Sequence, residues 1–310
     1  MQRKVLLDMD PGVDDAIALI LALNNTVLEI VALSTVSGNV SARMGAVNAM
    51  KICNALGKDV RIIQGLSRKG YRRSRHAVDV HGKDGLGDSM LDVGGGGRGR
   101  AVRLIKYDDP IKELASILAS YSRREVTLLC TAPLTNIAAL LEYDVKRYID
   151  KVFIMGGAYN LANVEGNVTR YAEFNFYTDA VAADKVMGSD LSIVACGLEL
   201  TSRRDCVVDD LMLERINSIG SSASTLAARI LKNPVSKHSY FNLHDVFALV
   251  ALVEPEIFRM KRARVRVETI GKRKGMCITE YRDDGNVSIC YDVDAKRLVE
   301  FIIDGLAVEQ

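Results

Sequence analysis

Short apolar bursts alternate along the chain with longer amphipathic stretches, a pattern that predicts an α/β protein built on a mainly parallel sheet. Residues 5–7 read as a first strand buried on both faces, ending at Asp8, with a helix over 16–23 behind it. A second strand over 28–36 precedes a helix over 42–56. Further strands are predicted at 126–130, 152–155 and 191–195, with helices over 134–141 and 179–187 between them. Residues 66–100 break the rhythm. Arg68, Lys69, Arg72, Arg73, Arg75 and the glycine run 94–97 replace any apolar period, which predicts a long loop acting as a lid or an excursion. Helical patterns return over 209–232 and 245–253. From Arg264 the tail reads as two or three antiparallel strands and a closing helix over 294–306. No repeat or linker composition interrupts the chain. The expectation is one domain over residues 1–310, an open, mainly parallel sheet flanked by helices, with appended C-terminal helices and a small antiparallel element.

Composition narrows the function classes. Apolar content of 48% and charged content of 26% are globular values and exclude a disordered chain. With 41 basic and 39 acidic residues there is no electrostatic case for nucleic acid. The longest apolar runs, 16–23 and 246–253, are too short to span a membrane. Asp8, Asp10, Asp14 and Asp15 interrupt any leader-like core, so a cytoplasmic location is expected. The six cysteines form no Cys-x-x-Cys and no zinc-spaced cluster. A hairpin turning at 282–286 would set Cys277 opposite Cys290, where a disulfide is possible.

The chemistry concentrates in Asp8-Met9-Asp10-Pro11-Gly12-Val13-Asp14-Asp15. In open α/β sheets ligands bind outside the carboxyl ends of strands, where this segment falls. Helix capping explains one or two of these aspartates. Four together repel one another and are costly to bury unless a cation compensates them. Oxygen-only ligands favour Mg²⁺ or Ca²⁺. Two reaction classes fit: a phosphatase of the haloacid-dehalogenase type, or metal-assisted hydrolysis with an aspartate as base. A non-catalytic nucleoside- or ribose-binding protein is a third reading, but it would need neither Asp10 nor a metal.

Four more segments discriminate. They are Ser37-Gly38-Asn39, the run from Thr131 to Ala138, Met155-Gly156-Gly157 with Ala172-Glu173-Phe174-Asn175, and His244-Asp245. In identity and order the set resembles the inosine-uridine-preferring nucleoside hydrolases, from residue 3 to about residue 255. The resemblance implies calcium-dependent hydrolysis of the N-glycosidic bond of a small-molecule ribonucleoside, a pyrimidine nucleoside or inosine. It implies a Ca²⁺ held by Asp10, Asp15, the Thr131 carbonyl and Asp245, with Asp10 also the general base. Asp14, Asn167, Glu173 and Asn175 would bind ribose hydroxyls, with Asn39 near the attacking water. Asp8 would support the metal site from behind. His244 would activate the leaving group, with His81 near the base and Met155 and Phe174 as apolar contacts. As isolated residues, Asn167 and Asn175 also read as turn formers and Glu173 as a helix cap. Tyr240 and His238, just upstream of His244, are candidates for the base pocket. The glycine-rich 94–103 stretch reads as a solvated loop or a subunit contact. A homodimer or homotetramer is the expected assembly.

Overall fold

β1 (Arg3–Met9) sends Val5, Leu7 and Met9 into one core and Leu6 into another, as the two-residue period of a strand requires. The structure, a computed structural model, describes residues 2–67, 73–92, 104, 106–161 and 164–308. Arg68, Lys69, Arg72 and the whole of the 94–103 stretch lie outside the described residues. After β1 come α1 (Val13–Asn24), β2 (Leu28–Thr35), α2 (Ala42–Ala55) and β3 (Ile62–Gln64). Next are α3 (Arg75–His81), α4 (Pro110–Ala119), β4 (Val126–Cys130), α5 (Thr135–Leu140) and β5 (Ile149–Met155). They are followed by α6 (Phe174–Thr178), α7 (Ala180–Met187), β6 (Ile193–Cys196) and α8 (Leu198–Thr201). β7 (Val207–Val208), α9 (Asp210–Ser218), α10 (Ser222–His238), β8 (Phe241–Asn242) and α11 (His244–Val253) lead into the tail. The tail holds β9 (Phe258–Val267), β10 (Cys277–Tyr281), β11 (Val287–Val293) and α12 (Ala295–Ala307).

The main sheet runs β10-β9-β11-β6-β5-β4-β1-β2-β3, and only β9 and β10 break its parallel pairing. β7 and β8 form a separate antiparallel pair. The chain adds β2 and β3 on one side of β1, then returns to add β4, β5 and β6 on the other. The β1/β4 boundary is therefore the reversal point at which open sheets place their ligand crevice. One core lies against α1, α2, α10, α11 and α12, the other against α4, α5 and α7. α1 is buried along almost its whole length, so its first turn is carried deep into the protein.

The tail strands pair antiparallel, as expected, and they also extend the main sheet, because β11 pairs in parallel with β6. Two expectations need correction. The 282–286 turn is not a hairpin: β10 and β11 flank β9 on opposite sides, with Tyr281 and Val287 both opposite Ala263. The chain steps across β9 here, and Gly285 permits it, since a Cβ there would sit 2.1 Å from the Ala263 carbonyl oxygen. Cys290 consequently lies opposite Cys196, away from Cys277, and all six cysteines are free and buried. Finally, the 66–100 stretch is not wholly irregular. Ser74 caps α3 through the Ala77 N–H (3.0 Å), and Gly82, at a φ of 74°, ends it.

Candidate active site

The acidic segment passes from β1 into the first turn of α1. Asp10 lies just beyond the strand, while Asp14 and Asp15 occupy the helix start. Asp15 closes that turn, accepting from the Gly12 N–H at 3.1 Å. It also accepts from Asn39 Nδ2 (3.3 Å) and from the Thr131 hydroxyl (2.7 Å). Asp10 accepts from the Asn39 backbone N–H. Gly38 allows this approach, since a Cβ there would lie 1.9 Å from an Asp10 carboxylate oxygen. Thr131 follows β4 and donates its N–H to the Asp8 carbonyl at 3.0 Å, locking the two strand ends together. Behind them Asp8 accepts from Ser34 and from Asn136 Nδ2 (2.7 Å). α11 delivers Asp245 from the far end of the sequence. One oxygen each from Asp14, Asp15 and Asp245 lies within 4.8 Å of the others. Asp14, expected at the ribose, is thus one of this trio, and Asp10 stands beside it.

These carboxylates are buried, and one oxygen on each of Asp8, Asp10, Asp14 and Asp245 has no hydrogen-bond partner among the described residues. Burial, and then mutual repulsion, raises their pKa values. Asp8 is pushed up to about 6 and Asp14 to about 7, chiefly by desolvation. Burial raises Asp10, Asp15 and Asp245 as well, with the charge of Asp15 adding to the effect on Asp10. The neighbouring charges of Asp14, Asp15 and Asp10 add to burial in raising Asp245. Buried acceptors without donors cost free energy and are satisfied by a cation. The donor set consists of oxygens alone, which fits a hard divalent ion such as Mg²⁺ or Ca²⁺.

Above this floor opens a cavity of ≈ 460 Å³. Every site residue expected from the sequence lines it except Asp8, Asp10 and Asp15, which are buried out of its lining. Asn175 donates to the carbonyls of Thr131 (3.0 Å) and Met155 (3.2 Å), leaving its own Oδ1 without a partner among the described residues. Glu173 caps α6 and takes the N–H groups of Asn175 (2.7 Å), Gly157 (2.9 Å) and Phe176 (3.0 Å). It is therefore both a helix cap and part of the cavity wall. Asn167 and Phe174 complete that wall with Met155.

The opposite side is aromatic and imidazole-rich. His81 Nδ1 accepts from the Val13 N–H at 3.1 Å and lies 3.9 Å from Asp14 Oδ1. With that nitrogen accepting, a neutral ring carries its proton on Nε2. The edge of the ring meets Phe241 at 6.4 Å between centroids. His244 is half-buried, its Nδ1 2.8 Å from Thr201 Oγ1, and burial pushes its pKa down to about 4. Tyr240 and His238 reach the same cavity, joined by Asp79, Phe241 and Asn242, which sequence reasoning missed. Ser34, Asn136 and Thr201 were missed too. No local motif marks Ser34 or Thr201, and the run from Thr131 to Ala138 gave Asn136 no role of its own, because each acts on a partner far away in the chain.

Residues 5–300 match the family of inosine-uridine preferring nucleoside hydrolases. A pyrimidine-specific ribonucleoside hydrolase, RihA, from Escherichia coli is 32% identical over 99% of this chain and 99% of its own. The solved purine-preferring ribonucleoside hydrolase from Gardnerella vaginalis has the same fold, with a TM-score of 0.88 at 24% identity over 98% of both chains. A plant nucleoside hydrolase gives a TM-score of 0.84 at 27% identity, covering 99% of this chain and 100% of its own. The phosphatase and non-catalytic readings of the acidic cluster are thereby set aside. The chain belongs to the inosine-uridine preferring nucleoside hydrolase family and is an N-ribosyl hydrolase of ribonucleosides.

Proposed function

We propose that the protein hydrolyses pyrimidine nucleosides and inosine to ribose and free base in a Ca²⁺-dependent reaction. The carrying observation is the set of buried, unpartnered carboxylate oxygens beneath a cavity of ≈ 460 Å³, within the usual range of small-molecule sites. The similarity to the pyrimidine-specific relative supports the base preference. Asp10, Asp15, the Thr131 carbonyl and Asp245 would hold the ion, with Asp8 held behind them by Ser34 and Asn136. When bound, the ion would supply the positive charge this cluster lacks and the Lewis acidity that makes water nucleophilic near neutral pH.

The chain's own groups do the rest. Asn39 holds one oxygen of Asp10, and the other, left without a donor, takes the proton of the water attacking the anomeric carbon. Ribose hydroxyls both donate and accept, so they need the mixed lining of Asp14, Asn167, Glu173 and Asn175. The free Oδ1 of Asn175 is suited to accept from one of them. As the glycosidic bond breaks, its electron pair moves to the base. The negative charge growing on the base offsets the burial that disfavours protonated His244, which delivers a proton there, while His81, Met155 and Phe174 pack around the substrate. The working unit proposed is one domain over the whole chain, acting as a cytoplasmic homodimer or homotetramer.

The test is incubation of uridine and of inosine with chelator-stripped and calcium-repleted protein. Ribose and free base should appear in equal amounts, vanish on chelation and return with calcium. Failure of calcium-loaded protein to release ribose from either nucleoside would overturn the reading.

A further inference from the structure

The imidazole of His244 is held at a single point. Its Nδ1 lies 2.8 Å from the hydroxyl of Thr201, and Nε2 has no hydrogen-bond partner among the described residues. Thr201 is buried at the last position of α8, one turn beyond the end of β6. That turn is rigidly placed. The Leu198 N–H donates to the Gly157 carbonyl and the Thr201 N–H to the Gly197 carbonyl, each at 3.0 Å. Glu199, in the same turn, takes the N–H groups of Tyr159 and Leu161. The backbone of His244 is equally fixed, because the next residue is Asp245 in the acidic trio. What remains free is rotation of the ring, and the Thr201 hydroxyl is the group that opposes it.

We infer that Thr201 is a positioning residue for leaving-group activation: its hydroxyl fixes the His244 ring so that Nε2 faces the departing base. The inference rests on the role proposed above for His244. A hydroxyl both donates and accepts, so it stays bonded to Nδ1 whether or not that nitrogen carries a proton. The ring therefore keeps its aim as Nε2 gives its proton to the base nitrogen that gains the electrons of the broken C–N bond. Misaiming a reacting group by about 1 Å can cost on the order of 10²-fold in rate.

The experiment compares wild type, Thr201→Val, Thr201→Ser and His244→Ala on uridine and on p-nitrophenyl riboside, whose leaving group needs no proton. Thr201→Val keeps the shape and removes the hydroxyl. It should lower kcat on uridine about 10- to 100-fold, leave KM within about twofold, and spare p-nitrophenyl riboside. Thr201→Ser should restore most of the uridine rate. Adding Thr201→Val to His244→Ala should slow uridine no further, since the ring it positions is gone. If Thr201→Val folds poorly, long-range ¹H–¹⁵N spectra of Thr201→Ser and wild type still test the contact, because the chain has only four histidines. The His244 Nδ1 signal should keep its hydrogen-bonded character in both. A wild-type spectrum without that signature, full uridine activity in Thr201→Val, or equal losses on the two substrates would overturn the inference. If His244→Ala itself slowed both substrates equally, the acid role of His244 would fall, and the inference with it. A selective His244→Ala beside a silent Thr201→Val would remove Thr201 alone.

Discussion

The floor of the cavity and its imidazole-lined side are built on opposite principles. On the floor, Asp8, Asp10, Asp14 and Asp245 are buried, and each keeps an oxygen without a partner among the described residues. On the other side each imidazole is already held by the protein, His81 by the Val13 N–H and His244 by the Thr201 hydroxyl. An unsatisfied acidic floor is costly alone and is completed by a ligand. A partly apolar wall with anchored imidazoles is preorganised and carries less buried unsatisfied charge in the free protein, although Asn242 Oδ1 on it has no partner among the described residues. On the function proposed above, the contrast would give the ion to the floor and leaving-group activation and the choice of base to the imidazole-lined side.

The sharpest way to break the contrast is Asp10→Asn, which keeps the shape but removes the base and weakens the ion site. It should fold and lose about 10³-fold or more in kcat. Turnover within a few-fold of wild type would move the proton transfer elsewhere. His244→Ala comes next, with an expected loss of about 10²–10⁴-fold on uridine and inosine and little change in KM. Calcium affinity, read by titration calorimetry, should stay near wild type, and a large drop would show that the two sides are not separable.

Stability of the stripped protein tests the floor through pH. Its folded carboxylates have raised pKa values, about 6 for Asp8 and about 7 for Asp14, against about 3.9 in an unfolded chain. Between these values the folded state binds more protons than the unfolded one, so stability falls as pH rises through that window. Calcium, bound as proposed, would take the ionised carboxylates and should raise Tm more at pH 7.5 than at pH 5. An equal calcium shift at both pH values would contradict buried, charge-starved carboxylates. The smallest effect belongs to the wall. Tyr240→Ala should raise KM for uridine about two- to tenfold, the scale of one aromatic contact, with calcium affinity unchanged.

The floor was legible in the sequence because its aspartates are contiguous and follow a recognisable strand. Asp245 was not legible in that way, since nothing local ties it to residues 10–15. Only the resemblance brought it in. The Thr201–His244 contact closes across 43 residues and leaves no periodicity to read. α3 escaped because seven residues, several of them charged, show no apolar stripe. α4 was announced by Asp109-Pro110, an N-cap followed by proline in the first turn, yet it went unread beside the glycine-rich stretch. The supposed hairpin at 282–286 failed for a different reason. Alternating residues identify β10 and β11 as strands, but pairing is decided by β9, which lies between them.

Elemental analysis of an active, untreated preparation tests the central claim most directly. One calcium per chain and no stoichiometric zinc is the predicted result, given the oxygen-only floor. Stoichiometric zinc, or full activity in protein holding no metal, would contradict it.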